Sequence, residues 1–156
     1  MSDDCLITSE DLTPLERKLV AAAVHARSRA YAPYSNYLVG AAVADEEGIL
    51  YTGANLESAD YTLTTHAEQH ALNALKFSSD SKAIALAFAV EASLGGTPAP
   101  CGLCRQRLRE FSRDMEIPIV AVSLASDGVT INCFHRYSLA KILPFSFGPE
   151  HVLAKK

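Results

Sequence analysis

Four residues in two short stretches have the types and spacing to do chemistry: His66 and Glu68 in "TTHAEQHAL", Cys101 and Cys104 in "PAPCGLCRQ". Cysteines at i and i+3 on the first turn of a helix project their sulfurs to one side. A helix N-terminus carries partial positive charge, which favours the thiolate that a metal needs. Two ligands are too few for zinc, because catalytic zinc takes three protein ligands and leaves a fourth position for water. His66, Glu68 and His70 all stand as candidates for the third. A His66/His70/Cys101/Cys104 set would fill the ion and make it structural. His66 with both cysteines would leave an open position and a free Glu68 beside it. The zinc-protease pattern is excluded, since Ala67 and not Glu follows the first histidine.

The chemistry of the open set is specific. Zinc lowers the pKa of a water and supplies hydroxide at neutral pH. An amidine-type ring carbon attacked by hydroxide also needs its ring nitrogen protonated and its amino group released as ammonia. One carboxylate in reach can carry those protons. Each feature has a plainer reading when taken alone. Thr65 and Glu68 fit a capping box, a lone histidine is more often structural, and Cys-x-x-Cys also serves redox chemistry. Their coincidence, with Pro100 directly before Cys101, favours the metal.

The elements that must position these residues follow from periodicity. "TPLERKLVAAAVHARSRAYA" reads as a helix with Thr13 as cap and Pro14 at its first position. "NYLVGAAVADEEGILYTGAN" reads as two strands around a tight turn at "DEEG". Leu72, Leu75 and Ala71 give "THAEQHALNALKF" an apolar helix face. "AIALAFAVEAS" is a nearly continuous apolar run, expected of a strand buried on both faces. "LGGTPAP" is a loop by composition. "CGLCRQRLREF" is a helix with Leu103, Leu108 and Phe111 expected inward. "PIVAVSLASDGVTINCF" is two strands around the Asp127-Gly128 turn, with Cys133 expected as a small buried hydrophobe. "YSLAKIL" is a short helix before an irregular tail, "PFSFGPEH". The expected fold is therefore an α/β domain with a sheet of about five strands covered by helices. One domain is expected over residues 1–156, with 1–12 a flexible N-terminal segment.

Bulk properties narrow the function classes. The 156 residues carry 14 Lys+Arg against 18 Asp+Glu, a net charge of −4. Basic residues are scattered and form no stripe of the kind that tracks nucleic acid, so a small molecule is the expected partner. No apolar run approaches the roughly 20 residues of a membrane span. The start, "MSDDCLITSEDL", is acidic and unlike a signal peptide. A cytoplasmic protein is expected.

His-x-Glu followed by Pro-Cys-x-x-Cys is the recognised signature of zinc deaminases. The chain further resembles the free-nucleoside cytidine deaminases in four blocks, "AYAPYSNYLVGAAV", "GANLESADYTLTTHAEQ", "PCGLCRQRLREF" and "LPFSFGPEH", in the family's order. The resemblance implies a three-layer α/β/α sandwich with a mixed sheet. It implies hydrolysis of cytidine or deoxycytidine to uridine or deoxyuridine plus ammonia, in pyrimidine salvage. It implies one Zn2+ per subunit on His66, Cys101 and Cys104, with Glu68 as the proton shuttle. Asn55 and Glu57 then match ribose ligands, Tyr37 falls where the family usually has Phe beside the base, Ala67 lines the substrate site, and Phe147 matches an aromatic that reaches a neighbouring subunit's pocket. By composition alone, Asn55 and Glu57 would be an ordinary turn after Gly53, and Phe145 and Phe147 tail anchors for the core.

Two positions depart from the pattern. Compact members usually have Cys where His66 stands and Arg after the glutamate, where this chain has Gln69. The histidine form is more familiar in longer, dimeric relatives. Three thiolates on a zinc dication leave a net negative charge that an arginine can offset; one imidazole and two thiolates leave none. Excess negative charge would weaken the nucleophile, so the two changes are read as a linked pair. A homotetramer is expected, with a homodimer as the alternative. The competing readings are a deaminase of another aminopyrimidine nucleoside such as an antibiotic, and a structural-zinc binding protein.

Overall fold

The structure, a computed structural model, describes residues 6–91 and 97–153. Helix α1 (Pro14–Arg27) starts with Thr13 as its cap and Pro14 at its first position, as the residue types require. A reciprocal capping box with Glu16 completes this start: the Thr13 hydroxyl accepts from the Glu16 amide, and Glu16 accepts from the Thr13 amide. Strands β2 (Val39–Asp45) and β3 (Leu50–Ala54) form the expected hairpin, turning at Gly48 with a positive φ of 78°. Helix α2 (Ala67–Ser78), strand β4 (Ala83–Glu91) and helix α3 (Gly102–Phe111) follow. Strands β5 (Pro118–Leu124) and β6 (Ile131–Ser138), then the short helix α4 (Leu139–Ile142), complete the order.

Six strands form one mixed sheet in the order β1-β6-β5-β4-β2-β3, one more than the estimate of about five. The addition is β1 (Leu6–Ile7), an edge strand antiparallel to β6. Within the segment 1–12, Leu6 and Ile7 pair with His135 and Phe134, and Leu12 enters the core. Residues 1–5, and with them Cys5, lie outside the described residues, as do 92–96 of the expected loop.

Alternation along the central strands builds the two faces. Leu86, Phe88 and Val90 of β4 point toward α2 and α3, with Ala41, Val43 and Ile119 beside them. Ala85, Ala87 and Ala89 point to the other face, where Leu19, Val20 and Ala23 of α1 cover them. The result is the expected α/β/α layering. Leu103 departs from the expectation and is 61% exposed, whereas Leu108 is fully buried. The two lie five positions apart, about 140° around the helix, so one face cannot hold both. Cys133 is only half-buried on β6.

The topology places the chemistry. β3 and β4 are both antiparallel to β2, so they run the same way and end at one edge of the sheet. The chain leaves β3 to begin α2 and leaves β4 to begin α3. Both helix N-termini therefore meet above that edge. Gly53 on β3 lets α2 lie close: a Cβ there would stand 2.5 Å from the Ala67 carbonyl oxygen and 2.5 Å from the Ala71 amide.

Candidate active site

His66 is the N-cap of α2 and Cys101 the N-cap of α3, both in extended backbone conformation. Neither side chain caps its own helix; instead they face each other. His66 Nδ1 stands 3.3 Å from Cys101 Sγ and 3.4 Å from Cys104 Sγ. Ligands about 2.0–2.3 Å from a tetrahedral zinc lie about 3.3–3.8 Å apart, so these spacings fit that ion. Among the described residues, His66, Cys101 and Cys104 are the one group of three or more metal-ligating side chains whose donor atoms converge. Burial pushes the Cys104 thiol well up, and the Glu68 carboxylate and Cys101 push it further. A buried thiol crowded against an acid and a second thiol is a poor arrangement for bare cysteine. A dication in its midst reverses the electrostatics and deprotonates the sulfur. The donor set therefore fits zinc.

His70 is not part of this set. Its Nδ1–H donates to the Ala54 carbonyl at 3.2 Å, tying α2 to the end of β3. The four-ligand structural site has no geometry here. Glu68 also loses its plainer reading: the N-cap position is His66, not Thr65, and no capping box forms at this end. Thr65 instead exchanges backbone hydrogen bonds with Leu56. Glu68 is 6% exposed, lying against Cys104 and near enough to Tyr37 to push its hydroxyl pKa up after burial has done so, with Arg27 opposing. Tyr37 is thereby kept protonated, a hydrogen-bond donor.

A cavity of about 300 Å³ opens over these groups, at the lower end of the range of small-molecule sites. Tyr37, Asn55, Glu57, Ala67 and Glu68 all line it, together with the ligands His66 and Cys101. Asn55 is buried: its Oδ1 accepts from the Val39 amide at 2.8 Å and its Nδ2 donates to the Tyr37 carbonyl at 2.9 Å. One amide hydrogen remains for a ligand, so Asn55 sets the wall that carries Tyr37. Glu57 accepts from the amides of Tyr34 and Ser35 at 3.0 and 3.2 Å and from the Ser35 hydroxyl. Those bonds, the hydroxyl's first, hold its carboxyl below the usual range against a smaller effect of burial.

Sequence reasoning missed Ser35, Val39, Thr64, Phe88, Val90 and Pro98, which also line the cavity. The period-2 pattern of β4 contained a signal for Phe88 and Val90, since residues alternating toward α2 must end beneath its N-terminus. Phe147 lies elsewhere, on the outer side of α3. Its carbonyl accepts from Gln106 Nε2 at 2.8 Å and its ring stacks on His151. Phe145 and Phe147 are both exposed, so neither anchors the tail in the core.

A layered α/β/α domain with a His-Cys-Cys donor set and a buried carboxylate at the base of a cavity defines a zinc-centred class of proteins. The chain belongs to the cytidine and deoxycytidylate deaminase zinc-binding family, whose family model matches residues 14–121. It is 38% identical over 133 residues to a cytidine deaminase of Sporosarcina psychrophila, covering 85% of this chain and 91% of that one. Its fold is similar to the crystal structure of cytidine deaminase from Burkholderia pseudomallei, with a TM-score of 0.74 and 33% identity, covering 87% of this chain and all of that one. The cytidine deaminase of Mycobacterium tuberculosis gives a TM-score of 0.67 and 32% identity over 85% of this chain and 96% of that one.

Proposed function

We propose that the chain catalyses the hydrolytic deamination of cytidine and deoxycytidine to uridine and deoxyuridine, releasing ammonia. The observation that carries this reading is the buried Glu68 beside the His66-Cys101-Cys104 donor set at the base of a nucleoside-sized cavity. Zinc bound there supplies Lewis acidity that makes a water nucleophilic at neutral pH. Glu68 takes a proton from the attacking water and passes it to the ring nitrogen of the base. After attack at the amino-bearing carbon, Glu68 moves the proton of the new hydroxyl to the amino group, which leaves as ammonia. The carboxylate is restored at the end of each turnover. Tyr37 and Phe88 flank the base, and Asn55 and Glu57 take the sugar hydroxyls.

Charge favours the nucleoside over the nucleotide. The described lining holds the carboxyls of Glu57 and Glu68 and no Lys or Arg, so a phosphate would meet like charge without a counter-ion. The three-donor set, with His70 committed to Ala54, speaks against a structural zinc. A role in cytoplasmic pyrimidine salvage accords with a free-nucleoside substrate; among the described residues no helix is long and apolar enough to cross a membrane. Exposed Leu103, Phe145 and Phe147 along α3 and the tail support a homotetramer in which Phe147 completes a neighbour's site; a homodimer is the alternative, and sedimentation mass separates them.

One sample measured for zinc and for loss of cytidine absorbance tests the reaction. About one zinc per subunit with uridine formed is the expected result. Zinc without deamination of any pyrimidine riboside overturns the enzyme reading, and activity on a nucleoside antibiotic but not on cytidine overturns the substrate.

A further inference from the structure

The reaction above makes no use of Ser35, yet its side chain lines the cavity and reaches across 22 positions of chain to Glu57. The bonding directions at this pair are determined by valence. A hydroxyl has one proton, and an ionised carboxylate only accepts. Ser35 Oγ–H therefore donates to Glu57 Oε1, while the same oxygen accepts the Tyr37 amide at 3.0 Å. Glu57 Oε2 accepts two amides, from Tyr34 and from Ser35. A carboxylate offers about four acceptor positions; three are filled, and both of those on Oε2 are taken. The acceptor still free is on Oε1, the oxygen that Ser35 grips.

We propose that Ser35 is a positioning residue for sugar recognition: through its hydroxyl it aims the remaining acceptor of Glu57 Oε1 at a sugar hydroxyl. It thereby sets how strongly the enzyme separates hydroxyl-bearing ribosides from analogues without them. The inference rests on Glu57 as a sugar ligand, as proposed above. The two backbone amides fix only Oε2, so Ser35 is the one side chain among the described residues that fixes the other oxygen. The carboxyl is held ionised by these same bonds, which keeps it an acceptor.

Steady-state kinetics of the wild type, Ser35→Ala, Ser35→Thr and Glu57→Gln on cytidine and 2′,3′-dideoxycytidine test this. Ser35 is exposed, so neither of its variants removes core volume. Ser35→Ala should raise KM for cytidine about tenfold, the scale of one hydrogen bond to a charged group. Its kcat should stay within about twofold of wild type, and its KM for the dideoxy analogue should not change. Ser35→Thr, which keeps the hydroxyl, should restore the cytidine KM. An equal loss on both substrates would mean that Ser35 only holds Tyr37 and the turn, and would overturn the proposal. So would a Ser35→Ala enzyme like wild type while Glu57→Gln still separates the two substrates. A Glu57→Gln enzyme that loses equally on both removes the sugar-ligand reading and this inference with it.

Discussion

Glu68 lies against Cys104 although the two belong to different helices, because β3 and β4 end at one edge of the sheet and the starts of α2 and α3 meet above it. The carboxylate therefore lies at the donor set without being a member of it. Glu68→Gln keeps the shape and removes the base. Its kcat should fall by at least about 10²–10⁴-fold, the range of positioned acid–base catalysis. Bound zinc should remain near one per subunit, read by elemental analysis on the same preparation. A variant that loses zinc in parallel with activity would make Glu68 a ligand.

The His66 and Gln69 pair can be tested by charge. In the structure Gln69 is half-buried one position beyond Glu68, on the first turn of α2. His66→Cys adds a negative thiolate to a site that already has two sulfurs and the Glu68 carboxylate. We expect kcat to drop about tenfold or more, the scale of one unbalanced charge interaction. Adding Gln69→Arg should recover part of the loss and should tighten zinc against a competing chelator relative to the single variant. No recovery in either measurement would break the link between the two positions.

Stability has its own acid sensor away from the cavity. Arg136 on β6 grips the Glu16 carboxylate with two nitrogens, at 2.8 and 2.7 Å, and the same carboxylate closes the α1 capping box. Burial pushes the Glu16 carboxyl up, but Arg136 and the Thr13 amide and hydroxyl more than offset this and hold it below its usual range. A lowered folded pKa means stability that is fully present above the unfolded value, about 4.3, and is lost as pH falls through the folded value. Glu16→Gln takes the carboxylate from a partly buried Arg136, leaving it the Asp11 carbonyl, and should cost about 2 kcal/mol near neutrality, or about 4–8 °C in Tm. The gap between wild type and variant should be flat from pH 6 to pH 8 and shrink below about pH 4. Thermal melts across that range check the sign.

Much of this site could be read before any fold was known, for reasons that differ by residue. Cys101 and Cys104 were legible because i and i+3 on a helix start admit one geometry. The order of helices and strands was legible because the apolar period changes cleanly from 3.6 to 2. The choice between His66 and His70 was not, since it depends on the Ala54 carbonyl taking the His70 ring, a contact across the α2–β3 interface. Thr65 resembled a cap until Leu56 claimed its backbone. Leu103 was misjudged because an apolar residue at the start of an amphipathic helix looks inward in one dimension. Ser35 carried no local pattern at all; only the return of the chain at Glu57 gives its hydroxyl a partner.

The last prediction contrasts two glycines. Gly102, inside Cys-Gly-Leu-Cys, looks indispensable by position, yet a Cβ there meets nothing within 4 Å. It sits at the first position of α3, where alanine is a better helix former by up to about 1 kcal/mol. Gly102→Ala should therefore keep its zinc and hold or slightly raise Tm. Gly53 carries no chemistry, but its Cβ would strike backbone atoms of α2 at 2.5 Å, and backbone cannot swing aside as a flexible side chain can. Gly53→Ala should cost about 1–3 kcal/mol by overpacking. Because α2 carries both His66 and Glu68, a displacement of about 1 Å should also cut kcat by about 10²-fold. Measuring Tm, zinc and kcat for both variants separates the effects. If Gly53→Ala destabilises without lowering kcat in the fraction that stays folded, α2 would not be the rigid element that positions the carboxylate over the donor set.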